Sequence, residues 1–378
     1  MQLVLDEDQE LLAKTAADFV AGHSPVSRVR ALRDARDPLG FSRELWKRMA
    51  ELGWVGIPFP EAYGGAGMGL AELAVVLEAL GRTLAPEPFL STVLLAGQAL
   101  LRGGSEEQRR AWLPRIASGD AIATLAFQEP GSRHDPFRVT TRAERTGGGW
   151  RLRGEKSQVP DAGVADLLVV PARGEGEPGG IGLFLVRAGA PGLRVAPQTR
   201  LDGRNAALVT LDGVEVAADD VLGAPEGGGP LLGGVIDRAT AGLCAEMLGS
   251  MSRAFEMTLA HLKSREQFGA PIGSFQALKH RAAQMFIEIE LCRSAAMAAA
   301  RALDAGDAEA ASLVSLAKAR CSDAGMLVAN EAIQMFGGVG MTDEYDIGFY
   351  LKRARAAQMT FGDAAWHRAR WARLRGYG

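Results

Sequence analysis

A run of polar and small residues between two helical patterns has the composition of a phosphate-binding corner. It spans residues 265–276 and reads REQFGAPIGSFQ. Gly269 and Pro271 would end the first helix, and Ser274 is placed to cap the second. A helix start with a guanidinium beside it stabilises negative charge, so this junction with Arg265 suits a pyrophosphate. The alternative is an ordinary helical hairpin in which Arg265 is a charge near a helix C-terminus.

A second segment, residues 334–342 (QMFGGVGMT), places paired glycines at the end of another helical pattern. Gly337 and Gly338 would let the backbone approach a flat or polyanionic ligand, although a simple helix cap explains them equally well. The sequence has no GxGxxG between a strand and a helix, no GxxxxGK[ST] and no HExxH. A Rossmann or P-loop enzyme is therefore not expected.

The elements that must position these segments follow from the hydrophobic period. Residues 6–120 repeat apolar positions every three or four residues, with Asp6, Ser42 and Ser105 as expected N-caps. Residues 121–223 change to a period of two, and four long helical patterns follow. We predict an α+β fold of three domains. They are an N-terminal helical domain (1–120), a middle antiparallel β-barrel or sandwich (121–225) and a C-terminal four-helix bundle (226–378).

Composition limits the class of protein. The chain has 378 residues, a formal net charge of -3, 47% hydrophobic and 23% charged residues, which is typical of a soluble globular protein without a nucleic-acid partner. The N-terminus lacks a secretory signal and no long apolar run predicts a membrane span, so we expect a cytoplasmic protein. No metal site is expected, since Cys244, Cys292 and Cys321 lack paired spacing and should be core residues.

The two segments, taken with several shorter ones, resemble the signatures of the acyl-CoA dehydrogenase family. Residues 265–276, followed by His280 and Met285, are similar to one family signature, and residues 334–340 to another. The resemblance runs in order along essentially the whole chain. The shorter matching segments are 53–69 (GWVGIPFPEAYGGAGMG), 127–135 (FQEPGSRHD), 150–156 (WRLRGEK), 162–166 and 211–222.

The resemblance implies FAD as cofactor, bound between the β domain and the helical bundle, in a dimer of dimers. Three sets of residues would contact it. The set at the pyrophosphate and adenosine comprises Arg265, Gln267, Phe268 and Gln276. The set acting across a subunit boundary comprises Gln334, Gly337 and Gly338. The set along the isoalloxazine comprises Phe127, Gln128, Val159 and Pro160, where Pro160 has no amide to donate.

The family reaction removes an α-proton from an acyl-CoA thioester while hydride passes from the β-carbon to flavin N5. It requires a carboxylate base in a dry pocket, because an Asp with an unperturbed pKa of about 3.9 is a poor base for a carbon acid. Phe361 stands where the family usually has its glutamate. Some relatives place the base on the first bundle helix before an Arg, so Asp237, followed by Arg238, is the predicted base. Asp363, or no base in this chain, are the alternatives.

Other departures resemble the small subunits of two-component acyl-CoA dehydrogenases. The family's TEPxxGSD pattern occurs here as QEPGSRHD, where Arg133 could bind a CoA phosphate or a substrate carboxylate; a surface arginine is the alternative. Arg238 and Arg133 are the predicted substrate-binding residues. We expect a homotetramer, or a heterotetramer with a related subunit, that passes electrons to an electron-transfer flavoprotein. The competing interpretations are a non-catalytic subunit that shares FAD with its partner, and a flavin oxidase or monooxygenase.

Overall fold

The computed structural model describes residues 3–174 and 180–377, and these fall into two compact units. One unit consists of Met1–Ala31, Leu70–Ala85 and Thr240–Gly378, and the other of Leu32–Gly69 and Pro86–Ala239. The α-helices are α1 (Glu7–His23), α2 (Val26–Ala35), α3 (Arg43–Glu51), α4 (Leu70–Arg82), α5 (Gln98–Gly103), α6 (Glu106–Ala117), α7 (Gly229–Ser264), α8 (Gln276–Asp304), α9 (Ala310–Phe336), α10 (Ile347–Met359) and α11 (Ala364–Leu374).

The three expected N-caps are confirmed. The Asp6 carboxylate accepts from the Gln9 amide at 2.9 Å, and the Ser42 hydroxyl accepts from the Leu45 amide at 3.1 Å. Ser105 caps α6 in the same way, with Gln108 completing a capping box. Each cap satisfies an amide that the helix itself leaves unpaired, so local sequence fixes where these helices begin.

The last predicted helix is wrong as a single element. The sequence pattern predicts one helix through residue 375, whereas the structure ends α10 at Met359 and starts α11 at Ala364. Phe361 (φ 60°) and Gly362 (φ 112°) adopt left-handed backbone conformations between them, which no α-helix continues. The apolar period alone could not show this break, because both helices bury residues at helical spacing on either side of it.

The sheet of the second unit is open. Its strands are β1 (Ala123–Leu125), β2 (Arg142–Thr146), β3 (Gly149–Pro160), β4 (Leu167–Arg173), β5 (Ile181–Arg187), β6 (Leu193–Gln198), β7 (Ala206–Ala217) and β8 (Val221–Leu222). They are ordered β6-β7-β3-β2-β4-β5-β8, with β1 beside β4. Two further residue pairs, β9 (Glu266–Gln267) and β10 (Ala270–Pro271), form a small hairpin in the other unit.

The predicted antiparallel barrel is therefore wrong in two respects. Over residues 3–174 and 180–377, the end strands β6 and β8 do not pair with each other, so the sheet does not close. In addition, β1 and part of β2 run parallel to β4. A period of two identifies strands but does not encode which edges meet, since closure depends on pairing between distant strands. β2 is mostly polar and buries only Ala143, so a period of apolar residues does not mark it.

A buried π-helix (Phe89–Gly97) packs against β1. The sequence predicts only a helix here, over residues 90–101. Its wider turn leaves side chains such as Ser91 and Thr92 fully buried, and the Thr92 hydroxyl donates to the Ala123 carbonyl at 3.0 Å. π-Helical turns are rare and occur frequently at functional sites. None of the helices described by the structure is long and apolar enough to cross a membrane.

The three cysteines are buried core residues, as expected, but they also meet. Cys244, Cys292 and Cys321 lie on α7, α8 and α9. Hydrogen bonds to the other two thiols, together with burial, raise the pKa of the Cys321 thiol well above its usual value. A thiol in such surroundings stays protonated and unreactive. Within the described part of the chain, no group of His, Cys, Asp or Glu side chains is arranged to hold a metal ion.

Candidate functional site

The corner after α7 is exposed and tightly turned. Arg265, Gln267 and Phe268 leave the helix end and enter the β9–β10 hairpin, with all three side chains exposed. The Phe268 ring is 93% exposed and its backbone has φ 55°, a conformation that is strained for an aromatic residue. The Arg265 carbonyl accepts from the Ile272 amide at 2.8 Å, which closes the turn. An exposed aromatic ring on a strained, closed turn is typical of a binding surface.

The start of α8 carries no side-chain cap, which corrects one expectation. Ser274 was expected to cap this helix, but its hydroxyl donates to the Pro271 carbonyl at 2.7 Å. α8 begins instead at Gln276, after Phe275, and the Phe275 side chain does not cap it. Because uncapped amides at a helix start favour an anion, this end of α8 fits a phosphate group better than the capped helix expected from the sequence.

The paired glycines lie beside the same corner. α9 ends at Phe336, as predicted, and Gly337 follows with φ 67°, where a Cβ would meet no atom within 4 Å. The Phe336 ring stacks on the His261 ring with centroids 4.3 Å apart, which joins the ends of α9 and α7. Burial, and then the Arg265 charge, lower the pKa of His261, so this imidazole is neutral at pH 7. The structure thus brings residues 265–268 and 334–338 together.

A second group of predicted residues meets where β1 and β3 end. Phe127 and Gln128 follow β1 and are half-buried, while Val159 is buried and Pro160 half-buried on β3. The Gln128 carbonyl accepts from the Ser157 amide at 2.8 Å, and the Pro160 carbonyl accepts from the Thr124 hydroxyl at 2.7 Å. These two bonds hold the pair of strand ends side by side.

The end of β3 is strained. Gln158 (φ 52°) and Asp161 (φ 54°) both adopt left-handed backbone conformations, and the pairing register of β3 with β7 shifts between Lys156 and Val159. Such a bulge re-aims the residues that it carries. Strain of this kind persists only where surrounding contacts enforce it, and it concentrates at functional sites.

A buried ion pair beneath this strand end is the functional support that sequence reasoning missed. Glu129 and Lys156 have fully buried side chains, with Lys156 Nζ 2.6 Å from Glu129 Oε1. The other Glu129 partners are the amides and hydroxyls of Thr140 and Thr141, and Lys156 also donates to the Pro171 carbonyl. Glu129 therefore links the segment after β1 both to the residues just before β2 and to β3.

Both members of this pair are charged at neutral pH. Burial pushes the pKa of Glu129 up, but the Lys156 charge and the hydrogen bonds to Lys156, Thr140 and Thr141 outweigh it and hold the pKa at about 2. Burial lowers the pKa of Lys156 to about 8, against the opposing effect of Glu129. Neutral pH lies between these values, so the ion pair persists.

Asp237, the predicted base, lies on α7 with only 8% of its surface exposed. Burial is the condition that a carboxylate base for a carbon acid requires. Arg238 beside it is half-buried. Arg133 is exposed on the loop after β1 and has φ 38°. The roles of these three residues stay predictions.

Position 361, where the sequence resemblance places the family glutamate, is held by several hydrogen bonds. Phe361 is 6% exposed, and its carbonyl accepts from His367 Nε2 at 3.0 Å. The buried Lys318 ammonium donates to the carbonyls of Gln358 (3.1 Å) and Gly362 (2.7 Å), one on each side of the break. Asp363 accepts from the Trp366 amide at 2.8 Å and so caps α11. The Asp363 carboxylate therefore forms a hydrogen bond that stabilises the start of α11.

The comparisons with known proteins agree over the whole chain. Family models match the acyl-CoA dehydrogenase N-terminal domain at residues 6–120, the middle domain at 124–214 and the C-terminal domain at 228–374. Acyl-CoA dehydrogenase FadE27 of Mycobacterium tuberculosis is 33% identical, with 86% of each chain covered. Cyclohex-1-ene-1-carbonyl-CoA dehydrogenase of Geobacter metallireducens is 31% identical, with 95% of each chain covered.

Solved structures give the same result. A chain of the ChsE4-ChsE5 complex from M. tuberculosis is 31% identical, covers 100% of both chains and superposes with a TM-score of 0.91. A variant of the Tcur3481-Tcur3483 steroid ACAD is 34% identical, with 98% of both chains covered and a TM-score of 0.89. A glutaryl-CoA dehydrogenase from Mycobacterium smegmatis, in complex with FADH2, is 27% identical over 98% of this chain and 95% of its own, with a TM-score of 0.90. FAD is thus confirmed as the cofactor of this group of similar proteins.

Proposed function

This chain belongs to the acyl-CoA dehydrogenase family of oxidoreductases, and from that premise we propose that it binds FAD and takes part in the α,β-dehydrogenation of an acyl-CoA thioester. The observation that carries the proposal is the exposed corner at residues 265–268, joined to residues 334–338 by the stacked rings of His261 and Phe336. It combines a guanidinium, uncapped helix amides and an open glycine backbone, which are the groups that bind a pyrophosphate.

Each group of residues binds a different part of the cofactor. At the corner, Arg265 and the first amides of α8 would hold the pyrophosphate, and the exposed Phe268 ring would contact the adenosine. The side chains that would donate or accept hydrogen bonds there are those of Gln267, Gln276 and Gln334. Gly337 and Gly338 would let the cofactor approach the backbone closely. At the strand ends, Phe127, Gln128, Val159 and Pro160 line the isoalloxazine. When bound, FAD supplies the acceptor for the hydride from the substrate β-carbon.

The chain's own residues would remove the substrate's α-proton and bind its charged groups. Asp237, buried on α7, takes the α-proton of the thioester, which a carboxylate can do only where water is excluded. Arg238 orients the acyl-CoA, and the exposed Arg133 binds a CoA phosphate or a carboxylate on the acyl group.

A second function is favoured by the missing glutamate. Phe361 fills the usual base position, and Asp363 is occupied as a helix cap. In addition, one of the similar chains comes from the ChsE4-ChsE5 complex. The second proposal is therefore that this chain shares FAD with a related subunit, which supplies the carboxylate. The similarity to a steroid ACAD makes a bulky acyl group a suitable substrate for either form.

Absorbance of the purified protein separates the two functions. The chain is purified alone and together with a related chain, and each sample is titrated anaerobically with a panel of acyl-CoA thioesters. Bleaching of the flavin in the chain alone supports the first function. Colour or bleaching only in the mixed sample supports the second. A colourless protein in both samples contradicts FAD binding. Reoxidation by electron-transfer flavoprotein, or by dioxygen, then identifies the electron acceptor.

Replacing Arg265 by glutamine is expected to weaken FAD binding by about 10- to 100-fold, since a charge-assisted hydrogen bond contributes roughly 1.5–3 kcal/mol. Equilibrium dialysis of the apoprotein against FAD measures the change. Lys263→Gln is the matched control, because Lys263 is an exposed cation two residues earlier, in the last turn of α7. Equal losses in the two variants would mean that general charge, and not contact at the corner, governs binding.

Exposed apolar residues on α8 are expected to form the contact with another subunit. Phe286, Ile287 and Leu291 are 53%, 50% and 48% exposed and lie within two turns of one helix. Ile287→Asp should dissociate the assembly, because it buries a charge in an apolar interface. Sedimentation velocity measures this. Leu11→Asp, at an exposed leucine of α1, serves as the control, and dissociation by both variants would argue against a specific role of α8.

A further inference from the structure

The exposed corner lies where the ends of three helices meet around one histidine. α7 ends at Ser264, α8 starts at Gln276 and α9 ends at Phe336. His261 lies in the last turn of α7, and its half-buried ring stacks on the buried Phe336 ring at an angle of 12°. His261 therefore joins the end of α7, which leads into Arg265, to the end of α9, which leads into the paired glycines.

The start of α8 is fixed against the same turn of α7. A Cβ on Gly273 would lie 2.8 Å from the Leu262 carbonyl oxygen, so glycine is what lets the chain pass this close to α7. Leu262 directly follows His261 and is 3% exposed. Two consecutive residues of α7 thus contact the ends of both neighbouring helices, since His261 packs on α9 and Leu262 on the entry to α8.

The aromatic contact continues from Phe336 to the loop beyond the glycines. The Tyr345 ring packs edge-on against the Phe336 ring, with centroids 5.8 Å apart and an angle of 70°. Gly337 and Gly338 lie between these two residues in sequence, and both are exposed. A row of three rings, those of His261, Phe336 and Tyr345, therefore runs from the end of α7 to the far side of the glycine segment.

The stack matters for binding because the ligand must contact two separate segments. Residues 265–268 and 337–338 each follow a helix end, and a pyrophosphate that contacts both binds only molecules in which both are in place. The apparent affinity falls in proportion to the fraction of molecules with that arrangement. A stacked aromatic pair stabilises its arrangement beyond the area that it buries, so loss of the His261 ring would reduce this fraction.

We propose that His261 is a positioning residue that makes this corner select a flavin dinucleotide over a flavin mononucleotide. This role rests on the proposed function, because the corner must bind the pyrophosphate and adenosine of FAD. His261 acts through Phe336, which directly precedes Gly337 and Gly338. FMN has the flavin ring, the ribityl chain and one phosphate of FAD but lacks its adenosine monophosphate half. A misaligned corner therefore costs FAD more binding energy than FMN.

Flavin fluorescence titration of the apoprotein with FAD and with FMN tests this role. His261→Ala should weaken FAD binding by about 3- to 10-fold, the loss expected for one aromatic pair, and FMN binding by less than about 2-fold. His261→Phe should restore the affinity for FAD, because phenylalanine keeps a ring on Phe336. At about pH 7.5 it also keeps the charge unchanged, since the His261 imidazole is neutral there.

A second stacked histidine provides the matched control. His23, at the end of α1, stacks on the Phe19 ring with centroids 4.5 Å apart. His23→Ala removes a contact of the same kind from another helix end, and it should leave the affinities for FAD and FMN unchanged.

Several results would overturn the role of His261 and leave FAD binding standing. One is an affinity for FAD that does not change in His261→Ala. Another is an equal loss for FAD and FMN, or a similar loss in His23→Ala, because either would reflect general destabilisation. A third is a loss in His261→Phe as large as that in His261→Ala, which would show that the stack is not responsible. An unaltered protein that binds no FAD, alone or with a related subunit, would contradict the proposed function itself.

Discussion

Lys156→Met is expected to lower the free energy of unfolding by about 3–5 kcal/mol, because it leaves the buried Glu129 carboxylate without its countercharge. The hydrogen bonds from Thr140 and Thr141 cannot replace that charge. Methionine has nearly the length of lysine, so the change removes charge more than volume. Guanidinium unfolding, with the midpoint and slope both fitted, measures the loss.

The same strand provides the control for this prediction. Arg151 forms an ion pair with Glu215 at 2.7 Å, but its side chain is 42% exposed. Arg151→Met should cost no more than about 1 kcal/mol, since water already screens that pair. A similar loss for both variants would show that burial is not what makes the Glu129–Lys156 pair important.

The double variant separates the pair from the packing around it. Glu129→Gln combined with Lys156→Met removes both charges, and part of the stability lost in Lys156→Met should return.

The dependence of stability on acidic pH gives an independent check of the ion pair. Because the pKa of Glu129 is held at about 2 in the fold, its contribution is complete above about pH 4.5 and is lost as pH falls through about 2. In Lys156→Met this acid-dependent part should shrink.

Asp237→Asn is expected to slow anaerobic flavin bleaching by an acyl-CoA by about 100- to 10,000-fold if Asp237 is the base, which is the range attributed to a positioned general base. Asparagine keeps the shape and burial of the side chain but cannot accept the α-proton. Stopped-flow absorbance under anaerobic conditions measures the rate, in the chain alone and in the assembly with a related subunit.

Two readouts protect this result from misinterpretation. FAD content and the unfolding midpoint should be unchanged in Asp237→Asn, which excludes a structural cause. Asp363→Ala is the comparison, because Asp363 caps α11 and loss of the cap should cost stability while leaving bleaching per bound flavin intact. Unchanged bleaching in Asp237→Asn would eliminate Asp237 and leave the carboxylate to the partner subunit.

Features fixed by neighbours in sequence could be predicted. The caps at Asp6, Ser42 and Ser105, and the end of α9 before Gly337, depend on hydrogen bonds within a few residues, so the sequence shows them directly. The order of the domains could also be predicted, because the sequence motifs that indicate it each span only a few neighbouring residues. Ser274 is the exception, since its hydroxyl donates to the Pro271 carbonyl and does not accept from an amide of α8.

Features that depend on distant pairing could not be predicted. Glu129 and Lys156 lie 27 residues apart, and nothing in either segment shows that both would be buried together. The openness of the sheet depends in the same way on edges that no local pattern describes. The break at Phe361 depends on Lys318, which reaches it from α9, as well as on His367 of α11. In each case tertiary contacts determine a structural feature that the period of apolar residues does not specify.

The turn between α10 and α11 is secured through main-chain oxygens. Lys318 binds the carbonyls of residues 358 and 362, and His367 binds that of residue 361, so none of these bonds uses the side chain at position 361. These bonds would therefore persist if position 361 carried a carboxylate in place of the aromatic ring.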